Sequence, residues 1–315
     1  MFRGCQGTPA GRRRLRFPEA DRIPPAEVPP IVTYRIATVS FLNCVPLVDW
    51  FSTPEGAERV TLTGHLPSRL AGLLADGAAD AALLPTAELL RGRAAGLIGR
   101  SGIACRGPVD SVKLFHNGPA TALRRVAVDR GSRTSVALLR VLLAETAGCA
   151  PPFVEVEPRP GVLPGPGDGV LVIGDRCFAF DRWRHLDPAV AGALTVMDLG
   201  QAWLEFTGLP FVFAAWAAAP GLVESGRTTA VRDLADLLDQ ARDHGLGRLS
   251  ELAAREAAAG ALGPGGEATL AAIEHYFRHS LRFRLGEAEL EGLQRFRDLC
   301  IAHRLVPPTG APVLL

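Results

Sequence analysis

Residues 125–148 read RVAVDRGSRTSVALLRVLLAETAG, and the change of period inside this stretch decides the fold class. RVAVD (125–129) is a short, β-branched run that reads as a strand. GSRTSVALLRVLLAETAG (131–148) then takes helical spacing. Val136, Leu139 and Leu143 share one face, and Leu138 and Leu142 widen it. Ser132 stands where an N-cap is expected and Gly148 where the helix should stop. A strand passing directly into a buried helix is half of a βαβ unit, so the expectation is an α/β fold.

The same alternation continues on both sides. YRIATVS (34–40) and VTLTG (60–64) read as strands, and SRLAGLLADG (68–77) between VTLTG and DAALLP (80–85) reads as a helix with Ser68 as its cap. SVKLFHN (111–117), GVLVIGD (169–175) and LPFVFAAWAAA (209–219) are further strands. DLGQAWLEFTG (198–208) opens with Asp198 and Gln201 at capping-box spacing and stops at Gly208. Helical spacing fills most of the remainder, at 228–244, 247–259, 268–281 and 287–303. Strands thus crowd into 34–129 and 169–217, as in a chain that crosses between two α/β lobes and returns.

Composition removes several function classes. The 315 residues carry a formal net charge of +1, with no basic footprint for nucleic acid. No apolar run is long enough to span a membrane. The cysteines at 5, 44, 105, 149, 177 and 300 form no C-x-x-C pair, so they read as free thiols of a reducing cytoplasm. Lys113 is the only lysine in the chain. Arginine is therefore the default cation here, which weakens any argument from a single Arg. Residues 1–32 are rich in Pro, Gly and Arg with no apolar core after Arg12–Arg14, and read as a disordered or misassigned tail, not a signal peptide.

The common catalytic templates are missing: there is no G-x-S-x-G, P-loop or H-E-x-x-H. His275 and His279 lie four apart, but lack a third ligand in register, so a solvated face is the reading and no metal or cofactor is expected. The remaining candidates are polar residues at strand ends, where open α/β sheets bind ligands. They are Ser40 and Asn43 after the first strand, Thr86 and Glu88 after DAALLP, Ser111 before VKLF, and Gly174 and Asp175 after GVLVI. The most specific group is Ser132, Arg133, Thr134 and Ser135, three hydroxyls and a guanidinium at a helix N-terminus that already favours an anion. Each has an ordinary alternative. Ser132 serves equally as an N-cap, Ser40 and Asn43 as turn residues, Thr86 as a cap, Glu88 as a first-turn acid, and Asp175 as a cap or an arginine partner.

Taken together, these segments resemble the chorismate dehydratases of the futalosine route to menaquinone. The similarity runs through RIATVSFLNCVPL (35–47), DAALLPTAELL (80–90), SVKLF (111–115), VAVDRGSRTSVALLRVLL (126–143), VLVIGD (170–175), DLGQAWLEFTGLPFVFAAW (198–216) and GLQRFRDLCIAHRLVPP (292–308). The sister family, which forms 1,4-dihydroxy-6-naphthoate, has an S-P-C-P-N-D-like motif where this chain reads S-F-L-N-C-V-P-L. Two departures are Thr86, where serine is more usual, and His116 after SVKLF.

The resemblance implies a two-lobed, periplasmic-binding-protein-like (type 2) fold with a ligand cleft between the lobes. The expected lobes are 33–117 plus 215–315, and 118–214, closing on the ligand about a hinge. It further implies a cytoplasmic hydro-lyase without a cofactor, whose partner is a small dicarboxylate, chorismate, converted to 3-[(1-carboxyvinyl)oxy]benzoate. On that reading Ser40, Thr86, Ser111, Ser132, Arg133, Thr134, Ser135 and Gly174 bind substrate, and Asn43, Glu88 and Asp175 are the catalytic candidates. The substrate's own carboxylate is a further candidate base. A non-catalytic solute-binding protein of the same fold is the alternative from another class.

Overall fold

The first strand, β1 (Tyr34–Thr38), buries Tyr34 and Ile36–Thr38 and leaves only Arg35 exposed. A strand covered on both faces is typical of a parallel sheet with helical crossovers, and β1 has parallel neighbours. It pairs in parallel with β2 (Val60–Gly64) on one side and β3 (Ala81–Pro85) on the other. β4 (Gly96–Cys105) completes this part of the chain. The structure, a computed structural model, describes residues 32–129, 131–224, 228–263, 267–308 and 314–315. The expected tail therefore lies outside the described residues up to position 31.

The chain then builds a second sheet from β5 (Val112–His116), β6 (Arg125–Val128), β7 (Phe153–Glu155), β8 (Asp168–Ile173) and β9 (Thr195–Asp198). Its order is β7-β6-β8-β5-β9. The chain returns to the first sheet with β10 (Phe211–Ala218) and β11 (Arg282–Arg284), giving the order β11-β4-β10-β3-β1-β2. β10 is antiparallel to both β3 and β4. The exchange between sheets thus falls between Cys105 and Val112, and between Asp198 and Phe211. SVKLFHN belongs to the second sheet, and all of 211–218 belongs to the first.

Asp198 ties these two passages together. Its carboxylate caps its own helix, Leu199–Thr207, through Gly200 N and Gln201 N, as the D-L-G-Q spacing predicts. The same carboxylate accepts from Val109 N and from Asp110 N at 2.8 Å on the other passage. Burial raises the Asp198 pKa, and these backbone N–H groups oppose that rise. Beside them, Trp203, Phe211 and Phe296 pack edge to face with ring centroids 4.9–5.9 Å apart, fixing the return strand under the last helix, Glu287–Ala302. Three fully buried rings of this size stabilise by about 1.5–3 kcal/mol each.

The helix Thr134–Ala147 follows β6 as expected, and Gly148 ends it in the left-handed conformation. Its N-cap differs from the expectation. Arg133 occupies that position, and no side chain caps the helix. The helix is buried over most of its girth and packs on β10 and on the short helix Thr86–Leu90 of the first sheet's side. Its N-terminus is therefore held where the two sheets face each other.

Candidate active site

Four segments meet in one cleft: 39–43 after β1, 109–112 at the passage into β5, 131–135 before the buried helix, and 173–174 after β8. Asn43, Ser111, Ser132, Arg133, Thr134, Ser135 and Gly174 all line it, among apolar walls from Phe41, Leu83, Ile103 and Phe213. The cleft is narrow, with a volume of about 90 Å³.

Its polar groups point to an anion. Ser132 is buried, and its Oγ has no hydrogen-bond partner among the described residues. A buried hydroxyl left unmet costs about 1–3 kcal/mol, so it needs an external partner to justify its place. Thr134 Oγ1 accepts from Ala87 N at 3.1 Å, which leaves its own proton to donate elsewhere. Arg133 is exposed, and no carboxylate pairs with its guanidinium among the described residues. The Cys44 thiol, pushed up to about 12 by burial, stays protonated and donates to Asn43 Oδ1 at 3.3 Å. The Asn43 amide NH₂ is then the free donor of that side chain. Gly174, at φ +66°, lets the chain turn here without a side chain. A Cβ would lie 3.6 Å from the Phe41 ring at its closest.

The other candidates do not reach this wall. Thr86 is fully buried and donates to Val212 O at 2.7 Å, so neither capping nor ligand contact describes it. Glu88 pairs with Arg91 at 2.6 Å in the first turn of its short helix. Ser40 is exposed and, with Asp175 and Glu256, lines a neighbouring cavity. Phe41 borders both cavities. Asp175 accepts from Leu42 N at 3.3 Å and caps no helix through its side chain. Burial raises its pKa to about 6. Among the described residues lining the cleft there is no Asp, Glu or His.

Comparison with known proteins fixes the relationship. The family described as menaquinone biosynthesis matches residues 34–302.

The chain belongs to that family.

A chorismate dehydratase from Thermus thermophilus is 35% identical over 244 residues, covering 74% of this chain and 84% of the relative. Among solved structures, the alkanesulfonate-binding protein SsuA from Xanthomonas axonopodis pv. citri, bound to MOPS, is similar with a TM-score of 0.58 at 18% identity. That match covers 90% of this chain and 98% of the other. A Candida albicans protein described as having the generic periplasmic binding protein fold aligns with a TM-score of 0.55 at 12% identity, over 86% of this chain and 90% of that one. At such identities the likeness concerns the fold alone. The fold of this family member is thus α/β, as the periodicity indicated, and periplasmic-binding-protein-like, as the resemblance implied. Among the described residues no helix is long and apolar enough to cross a membrane.

Sequence reasoning missed one polar residue behind the cleft. Tyr276 is fully buried, and its hydroxyl donates to Ser111 Oγ at 2.7 Å. In the sequence it sits inside an amphipathic helix and looks like core. Only the π-turn Tyr276–Ser280, which ends that helix, turns it towards residue 111.

Proposed function

We propose that the protein is a chorismate dehydratase, a hydro-lyase on the route to menaquinone that acts in the cytoplasm. Chorismate loses water and gives 3-[(1-carboxyvinyl)oxy]benzoate. The C–H bond at the ether-bearing carbon breaks, and its electron pair becomes a ring π bond. The neighbouring C–OH bond breaks, and the departing hydroxyl leaves with a proton as water. Aromatisation supplies the driving force. The protein's task is to hold the ring so that hydroxide leaves and the enolpyruvyl ether stays.

The observation that carries this reading is the Ser132 hydroxyl and the Arg133 guanidinium, neither with a partner among the described residues, in a cleft lined by further hydroxyl donors. Such a set suits a dicarboxylate: the guanidinium and helix N-terminus take one carboxylate, and Ser111 and Asn43 serve the other end. Charge that develops on the ring carboxylate as the C–H bond breaks meets donors already in position. With no protein carboxylate or imidazole in the cleft wall, the base in this reading is the substrate's own enolpyruvyl carboxylate. Asn43 orients the departing hydroxyl. Glu88, paired with Arg91, and Asp175, bonded to Leu42 N, take no proton from substrate.

We place one lobe around each sheet, with the cleft between them and the paired passages at Asp198 as the hinge. Closure about this hinge excludes water during the elimination.

Incubation of the protein with chorismate, with the product identified by mass spectrometry and NMR, tests the reading. Loss of one water with the vinyl ether intact is the expected result. No conversion of chorismate, with turnover of the cyclic futalosine-derived compound instead, would reassign the protein to the sister activity. Binding without any product would make it a solute-binding protein.

A further inference from the structure

Ser111 is held from three sides. Its N–H donates to Val109 O at 2.7 Å, its carbonyl accepts from Gly174 N at 2.8 Å, and its Oγ accepts from Tyr276. The serine proton itself has no acceptor among the described residues. A hydroxyl that already accepts a strong bond from behind has one direction left for its own hydrogen. Ser111 lines the cleft, so that direction is the ligand.

Among the described residues, Ser111 Oγ is the one acceptor for the Tyr276 phenol proton. Burial drives its phenol well above the ordinary tyrosine range, so it remains protonated at every working pH. Its ring stacks edge on against Phe178, with centroids 5.1 Å apart, which fixes the hydroxyl's position. Four residues on, Ser280 Oγ donates to Asp110 Oδ2 at 2.6 Å. One π-turn thus grips the two residues just before β5, Asp110 and Ser111, and grips the second through its hydroxyl.

We infer that Tyr276 is a positioning residue for the dehydration: its O–H orients the Ser111 hydroxyl as a donor to the bound dicarboxylate. Chains of hydrogen bonds of this kind polarise one another, so Tyr276 strengthens the Ser111 donor as well as aiming it. The inference rests on the functional reading above. It adds a residue that touches no substrate and lies far along the chain from the cleft segments.

The test is a double-mutant cycle of Tyr276→Phe and Ser111→Ala. Phenylalanine keeps the buried ring and removes only the donor. In the otherwise native protein, Tyr276→Phe is expected to lower kcat about tenfold, the size of one net hydrogen bond, with KM little changed. In the Ser111→Ala background the same change should cost nothing further. Native kcat in Tyr276→Phe, or an equal loss in both backgrounds, would overturn the inference. If the native protein does not dehydrate chorismate, the functional reading fails alone. The cycle is then read on chorismate affinity by calorimetry: a weakening that vanishes without Ser111 sustains the inference, and any other pattern ends it.

Discussion

Two junctions in this protein carry nearly the same sequence signal and do opposite things. Both pass from a buried strand into a helix, and both place at least one hydroxyl and a charge at the start of that helix. At 85–88, Thr86 donates to Val212 O and Glu88 pairs with Arg91, so both side chains are used inside the protein. At 131–135, the Ser132 hydroxyl is unmet and Arg133 has no carboxylate partner among the described residues. One junction is architecture, and the other, in the proposed function, receives an anion. The type of residue does not separate them; whether its hydrogen bonds are already made does.

The comparison breaks most readily at Arg133. Arg133→Ala should lower kcat/KM by about 10²–10³-fold, the cost of removing a charged donor from a developing anion, with the melting temperature unchanged. Activity retained within a few fold would put the anion elsewhere.

Asp175, at a third strand–helix junction, sharpens the contrast through pH. Its folded pKa lies near 6, above the unfolded value, because burial penalises the charge. Its contribution to stability is therefore full below the unfolded pKa and lost as pH rises through about 6. Asp175→Asn keeps an acceptor for Leu42 N and removes the charge. It should stabilise the protein by at most about 2–3 kcal/mol at pH 8, and by little near pH 4, with turnover kept. Chemical denaturation at both pH values measures this, and a stability gain independent of pH would disprove the assignment.

Thr86→Val should destabilise by about 2 kcal/mol, since Val212 O loses its donor, yet leave kcat/KM near native. Ser132→Ala should do the reverse. It removes a buried, unmet hydroxyl, so stability holds or rises, while kcat/KM falls about tenfold. Equal effects of the two changes on both measurements would erase the distinction between the junctions. The smallest change belongs to Glu88→Gln, about 0.5 kcal/mol or less for a partly exposed ion pair, with full turnover. A large loss of turnover there would restore Glu88 as a base.

The strands that alternate or run apolar in sequence form where the periodicity puts them, within a residue or two at their ends. VTLTG is β2 without any shift. The longest strand, β4, was not legible. GLIGRSGIAC holds three glycines, which argue against a strand. Gly102 is there because a Cβ would stand 2.6 Å from Ala214 O across the sheet, a constraint set by a segment a hundred residues away. The helix Arg176–Leu186 was also missed, because RCFAFDRWRHL has no clean apolar stripe. In the cleft, the 131–135 cluster was legible from local chemistry alone. That Ser132 would not cap its helix was not, since the cap passes to Arg133. The fates of Thr86 and Asp175 were hidden for the same reason as the role of Tyr276. Their partners, Val212, Leu42 and Ser111, are far away in the chain.

The order of strands also has a consequence for how the chain is made. β10 lies between β3 and β4, yet it is synthesised after the whole second sheet. As the chain leaves the ribosome, β3 and β4 wait with open edges, and sticky edges of this kind invite wrong partners. The second sheet comes from one continuous stretch, 112–198, and has all its strands before the first sheet can close. The nascent protein is therefore most exposed to aggregation between the emergence of residue 105 and that of residue 218.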